Sequence, residues 1–190
     1  MTITDDFLTI NEYSRPGKKL KEILAVIMHW TANPLASAKA NRDFFNSKKT
    51  GMSGYGSSHY IIGLQGEIIR CIPENEVAYH CGSSQLDPAS GKIYTNLARQ
   101  KFPSYTNANS SPNFCTLGIE LCPVDWEGNF KTETIESATE LCADILRRHK
   151  LTTEDILTHQ QVVGWKDCPK LWVDNPNMFE LFKENVGRII

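Results

Sequence analysis

The longest apolar run of the chain, Ile23-Leu24-Ala25-Val26-Ile27-Met28, ends at His29. With no polar alternation, residues 24–29 read as a strand buried on both faces, with His29 at its tip, where ligands gather in sheet proteins. Residues 35–48 read as a helix, and 50–58, with three glycines, as a flexible loop. Two strand-like runs, 58–64 and 67–72, flank Gln65-Gly66 and predict an antiparallel hairpin. Residues 82–113 are rich in Ser, Asn, Pro and Gly with few apolar anchors, which predicts a long functional loop. Residues 116–121 form a further strand candidate, followed by a turn at Glu127-Gly128. In 133–149, Ile135, Ala138, Leu141, Cys142, Ile145 and Leu146 recur at helical spacing, with Thr132 as the expected N-cap. A last helix is predicted from Pro176, burying Phe179, Phe182 and Val186.

These elements fit one domain over 1–190, because 190 residues with 41% hydrophobic and 22% charged side chains suit a single globular core. A formal charge of −2 leaves no basic footprint for nucleic acid. No apolar run reaches the length of a membrane span, and Asp5 and Asp6 stand where a signal peptide carries basic residues. The expectation is therefore a protein made in the cytoplasm, without membrane insertion, whose six cysteines stay reduced. Five of these suit core positions. The exception is Cys168, set among Lys166, Asp167 and Pro169. Oligomeric state is left open.

His29, His159 and Cys168 are candidate zinc ligands. Two imidazoles and a thiolate fill three tetrahedral positions and leave the fourth for water, the pattern of a catalytic rather than a structural zinc. The nine-residue step from His159 to Cys168 is not a zinc-finger knuckle, and His29 lies far upstream, so the fold must assemble the site. Taken alone, a histidine at a strand end is more often a packed structural residue, and Glu120, interrupting an apolar strand, reads equally as a salt-bridged or outward-facing one.

Five blocks occur in order: Met28-His29-Trp30-Thr31-Ala32, Ser57-Ser58-His59-Tyr60-Ile61-Ile62, Val77-Ala78-Tyr79-His80-Cys81-Gly82, Gly118-Ile119-Glu120-Leu121, and His159 through Pro169. In these the chain resembles the zinc-dependent N-acetylmuramoyl-L-alanine amidases of the type-2 amidase family, which includes the peptidoglycan recognition proteins. The flavour is that of endolysin catalytic domains from phages or prophages of Gram-positive bacteria. The resemblance implies an α/β fold, a central mixed β-sheet flanked by helices, and bacterial peptidoglycan as the partner. The implied reaction cuts the amide between N-acetylmuramic acid and the L-alanine of the stem peptide. The protein would reach the wall after release from the cytoplasm, and no wall-binding domain is recognised within 1–190.

The same resemblance assigns roles. His29, His159 and Cys168 fall on zinc-ligand positions, Glu120 on the catalytic glutamate, and Lys166 on a lysine that stabilises the oxyanion. His80 and Thr31 fall at the substrate. Many relatives place a tyrosine before the equivalent of His59-Tyr60. Here that residue is Ser58, which shifts acid–base work onto Glu120. His59 and His149 read as structural.

Three other readings stand beside this one. Cys168 activated by His159 would make a thiol hydrolase that survives chelation and dies with an alkylating agent. A binding module would keep the groove without cutting, although non-catalytic relatives typically lack the cysteine. A cytosolic enzyme recycling muropeptides would act on soluble fragments rather than intact walls.

Overall fold

A computed structural model describes residues 1–190. Six strands form one mixed sheet: β1 (Ile3–Asp5), β2 (Ala25–Trp30), β3 (Tyr60–Ile62), β4 (Ile68–Arg70), β5 (Thr116–Leu121) and β6 (Ile156–Thr158). Their order is β1-β4-β3-β5-β2-β6. Only the β3–β4 hairpin is antiparallel; the other pairs are parallel. Six helices surround the sheet: α1 (Ala38–Ser47), α2 (Asn96–Lys101), α3 (Thr132–His149), α4 (His159–Val163), α5 (Lys170–Asp174) and α6 (Pro176–Gly187). This is the mixed sheet flanked by helices that the family resemblance implied.

Side chains alternate across a strand, and that alternation divides the core. Val26 and Met28 of β2 with Leu117, Ile119 and Leu121 of β5 face α3, α5 and α6, where Leu141, Ile145, Trp172, Phe179 and Phe182 complete the largest cluster. The opposite face carries two smaller clusters. Ala25, Ile27 and Leu157 pack against Phe102, Val162 and Val163 at one end, and Ile61 and Ile69 pack against Leu8, Ala38 and Ile72 at the other. His29 and Glu120 follow the alternation onto this second face, between the two clusters.

The buried strand 24–29 is observed as Ala25–Trp30, the hairpin as Tyr60–Ile62 with Ile68–Arg70, and the strand at Thr116–Leu121 as predicted. Three local expectations differ. The helix at 35–48 begins at Ala38, because Ser37 caps it by accepting the Ala40 N–H, and Leu35 lies in the left-handed region. Thr132 is the first helical residue of α3 rather than its cap, which is Lys131. Residues 82–113 are not an unanchored loop: Tyr94, Ala98, Phe102 and Tyr105 are buried, and α2 seals the sheet end beside α4.

Candidate metal centre and active-site cleft

His29 is the penultimate residue of β2 and pairs in register with Glu120 on the adjacent parallel strand β5, so both side chains leave the same face. His159 is the first residue of α4, directly after β6. A capping box holds it there: Thr158 Oγ1 accepts the Gln161 N–H at 3.1 Å, and Gln161 Oε1 accepts the Thr158 N–H at 2.9 Å. Cys168 reaches the same point from the following loop, tied by the Gln160 N–H donating to its carbonyl at 3.0 Å. The site thus collects at the carboxyl ends of three neighbouring parallel strands, β5, β2 and β6.

The candidate ligand atoms of His29, His159 and Cys168 lie within 4.8 Å of one another, and all three residues are buried. His29 Nδ1 is 3.1 Å from His159 Nδ1 and 3.7 Å from Cys168 Sγ. Tetrahedral zinc bonds of about 2.0–2.1 Å to nitrogen and 2.3 Å to sulfur imply edges of roughly 3.3 Å and 3.6 Å. The triad therefore fits such an ion in donor type and spacing. Burial, followed by the neighbouring histidines and Lys166, pulls His29 well below its ordinary pKa; burial and Lys166 pull His159 to about 3. Both imidazoles are thus neutral, as ligation requires. Burial, then Glu120, pushes the Cys168 thiol up to about 12, which disfavours a thiolate nucleophile without a cation beside it.

His80 stands behind this triad. Its Nδ1 is 3.0 Å from His29 Nε2, while its Nε2 faces the Thr116 carbonyl at 3.3 Å and the Thr116 hydroxyl at 3.2 Å. With His29 Nδ1 turned to the metal position, Nε2 carries the proton and donates to His80, and His80 in turn donates to Thr116. Asn113 Oδ1 accepts the backbone N–H groups of His80 and Cys81 at 3.0 and 2.9 Å. Gly118 leaves the necessary space, since a Cβ there would sit 2.7 Å from His80 Cγ. The family resemblance placed His80 at the substrate; in the structure both its ring nitrogens are engaged inside the protein. His59 is fully satisfied, with Nε2 2.9 Å from the Glu76 carbonyl and Nδ1 accepting the Gly118 N–H at 3.0 Å.

Glu120 is half-buried, and its Oε2 has no partner. Burial raises its pKa to about 8 against the opposing pull of Lys166. Lys166 is exposed on the rim of a cleft of about 590 Å³, which also contains the triad, Glu120, Thr31 and His80. Thr31 Oγ1 and Ser58 Oγ are likewise buried without partners. Asn113, Thr116 and Gly118 were not legible as site residues, because each acts through backbone or packing contacts to a histidine distant in sequence.

A mixed α/β sheet with a two-histidine, one-cysteine cluster beside a free carboxyl group defines the class of a candidate metallohydrolase. The family model for N-acetylmuramoyl-L-alanine amidase matches residues 19–171. The chain belongs to this family. It is similar to a probable N-acetylmuramoyl-L-alanine amidase of Bacillus licheniformis, 32% identical over 99% of this chain and 48% of the relative. CwlL, an N-acetylmuramoyl-L-alanine amidase from the same organism, is 33% identical over 99% of this chain and 47% of its own length. The chain thus spans about half the length of these relatives. A mutant endolysin from Bacillus subtilis shares the fold with a TM-score of 0.71 at 23% identity, covering 98% of this chain and 99% of that one.

Proposed function

We propose that residues 1–190 form a single zinc-dependent N-acetylmuramoyl-L-alanine amidase domain that cuts bacterial peptidoglycan in the manner of an endolysin. The observation that carries this reading is the convergence of His29 Nδ1, His159 Nδ1 and Cys168 Sγ beside the unpartnered oxygen of Glu120. Family membership supports it, and so does the likeness in fold to an endolysin. In this reading the protein is made in the cytoplasm and acts on the wall after release; no helix is long and apolar enough to cross a membrane.

His29, His159 and Cys168 would hold the zinc, with His80 fixing the ring of His29. When bound, zinc supplies Lewis acidity toward the scissile carbonyl and toward water at the position the three side chains leave open. In the reaction a water oxygen adds to the amide carbon, the carbon–nitrogen bond breaks, and the nitrogen leaves as a protonated amine. Glu120 takes the proton from the attacking water and returns it to the leaving nitrogen; burial raises its carboxyl above the usual range, and a cation bound beside it would draw it back toward neutrality. Lys166 places positive charge where the oxyanion develops. The Thr31 hydroxyl, which lines the cleft and has no partner in the protein, would hydrogen-bond the substrate.

The test is release of new N-terminal alanine from purified Gram-positive peptidoglycan, before and after chelation and with zinc restored. Alanine amines that vanish with chelator and return with zinc, without new reducing sugar ends, are expected. Activity that persists through chelation but is lost to a thiol alkylating agent overturns the zinc assignment.

A further inference from the structure

Only two cationic side chains are buried in this protein, Arg42 and Lys48. Arg42 has its counter-charges, with Asp6 at 2.9 Å and Asp43 at 3.1 Å. Lys48, 8% exposed, has no carboxylate within ion-pair distance. Its ammonium donates to the Ser53 carbonyl at 2.9 Å and lies 4.8 Å from the centroid of the Phe44 ring. Burial is the only influence on its pKa, which it lowers. Buried lysines are ordinarily paired, because an uncompensated ammonium loses its hydration without recovering it. An ammonium carries three donors, and one is used here.

Lys48 also lines the cleft that contains the triad, together with Phe44, Tyr55 and Tyr79. The backbone of Gly56 lies directly over it, and a side chain there would sit 3.3 Å from its Cε. From this point the wall runs without a break to the candidate metal centre. Ser57 and Tyr79 exchange hydrogen bonds at 2.9 Å, and the next residue, His80, touches His29. A desolvated cation at one part of a cleft whose other part cuts an amide is suited to an anionic group on the same substrate.

We propose that Lys48 forms a carboxylate-binding subsite of the cleft, holding an acidic group of the peptide whose amide is cut. This rests on the amidase reading. A stem peptide carries carboxylates beyond the cut bond, and the cleft that holds the triad also holds Lys48. Lys48 thereby selects peptides by charge while taking no part in bond cleavage.

Two muramoyl peptides of one sequence, the first with free carboxylates and the second with each converted to carboxamide, test this on the zinc-loaded protein. The wild type is expected to favour the acid in KM by about tenfold, the size of one charge-assisted hydrogen bond. Lys48→Met should bring that ratio near one, and Lys48→Arg should keep most of it. A ratio unmoved by Lys48→Met, or an equal loss on both peptides, overturns the subsite and leaves Lys48 as a latch on Ser53. If neither peptide is cut, the amidase reading fails, and Kd values for the same pair from calorimetry decide Lys48 by the same criterion.

Discussion

His29 and His80, 51 residues apart, meet at 3.0 Å through Nε2 and Nδ1, with their rings edge to face at 89°. The contact fixes which nitrogen of His29 is free to face the metal position, because the other is committed to a hydrogen bond. A hydrogen-bond partner that orients a metal-ligating histidine is worth about 10–100-fold in metal affinity. His80→Ala should weaken zinc binding by that order in competition with a chromophoric chelator, and His80→Gln, which can still accept from His29, should recover part of it. Unchanged affinity in His80→Ala would return His80 to the substrate side of the cleft.

Zinc binding should release protons, and the source is predictable. The imidazoles are already neutral, whereas Cys168 holds its proton up to about 12 and Glu120 up to about 8. At pH 7, calorimetry in buffers of different ionisation enthalpy should therefore count about one to two protons per zinc. Cys168→Ser should lose both metal retention and most of this release. Stoichiometric zinc in that variant would remove Cys168 from the ligand set.

Glu120→Gln preserves shape and removes the exchangeable proton. Zinc content should be unaffected, and turnover should fall by at least about 10²-fold, the lower range for loss of a general acid or base. Near-normal turnover would end the assignment.

Lys166 lies on the cleft rim, and its charge acts on His29, His159 and Glu120. If it stabilises the oxyanion, Lys166→Ala should lower kcat by about 10²-fold with a small change in KM. The opposite split in steady-state kinetics would make it a substrate clamp.

Away from the cleft, Glu74 accepts hydrogen bonds from Tyr60 at 2.7 Å and Arg148 at 2.6 and 2.8 Å, and lies 3.3 Å from His149. Burial would raise its pKa, but the bonds from Arg148, Tyr60 and His149 outweigh it and lower the value to about 2 from the ordinary 4.5. The folded pKa lies below the unfolded one, so this group's stabilisation is complete above about pH 4.5 and is lost as pH falls toward 2. In thermal unfolding, the Tm gap between wild type and Glu74→Gln should be widest near neutrality and narrow across that interval. A gap independent of pH would mean that packing, rather than charge, makes the difference.

Much of the framework was determined by local patterning in the sequence. The apolar run into His29 reads as a buried strand, the hairpin follows from its turn, and the face of α3 follows from helical spacing, because burial imposes those periods on neighbouring residues. The candidate ligand set His29, His159 and Cys168 was legible through its donor types and the family resemblance, since no local period links positions so far apart. Other signals were present but weaker. The spacing of Tyr94, Ala98, Phe102 and Tyr105 is helical, yet the surrounding Ser, Asn and Gly residues mask it. Thr158-His159-Gln160-Gln161 has the form of a capping box, which sets His159 at a helix start. Only tertiary structure decided that His80 supports His29, that Gly118 makes room for it, and that Lys48 is buried without an acid. Each of these depends on which side chains from remote segments fill the space beside one face of the sheet. Strand alternation determines that a residue leaves on that face, but the partner it meets depends on the packing of the whole chain.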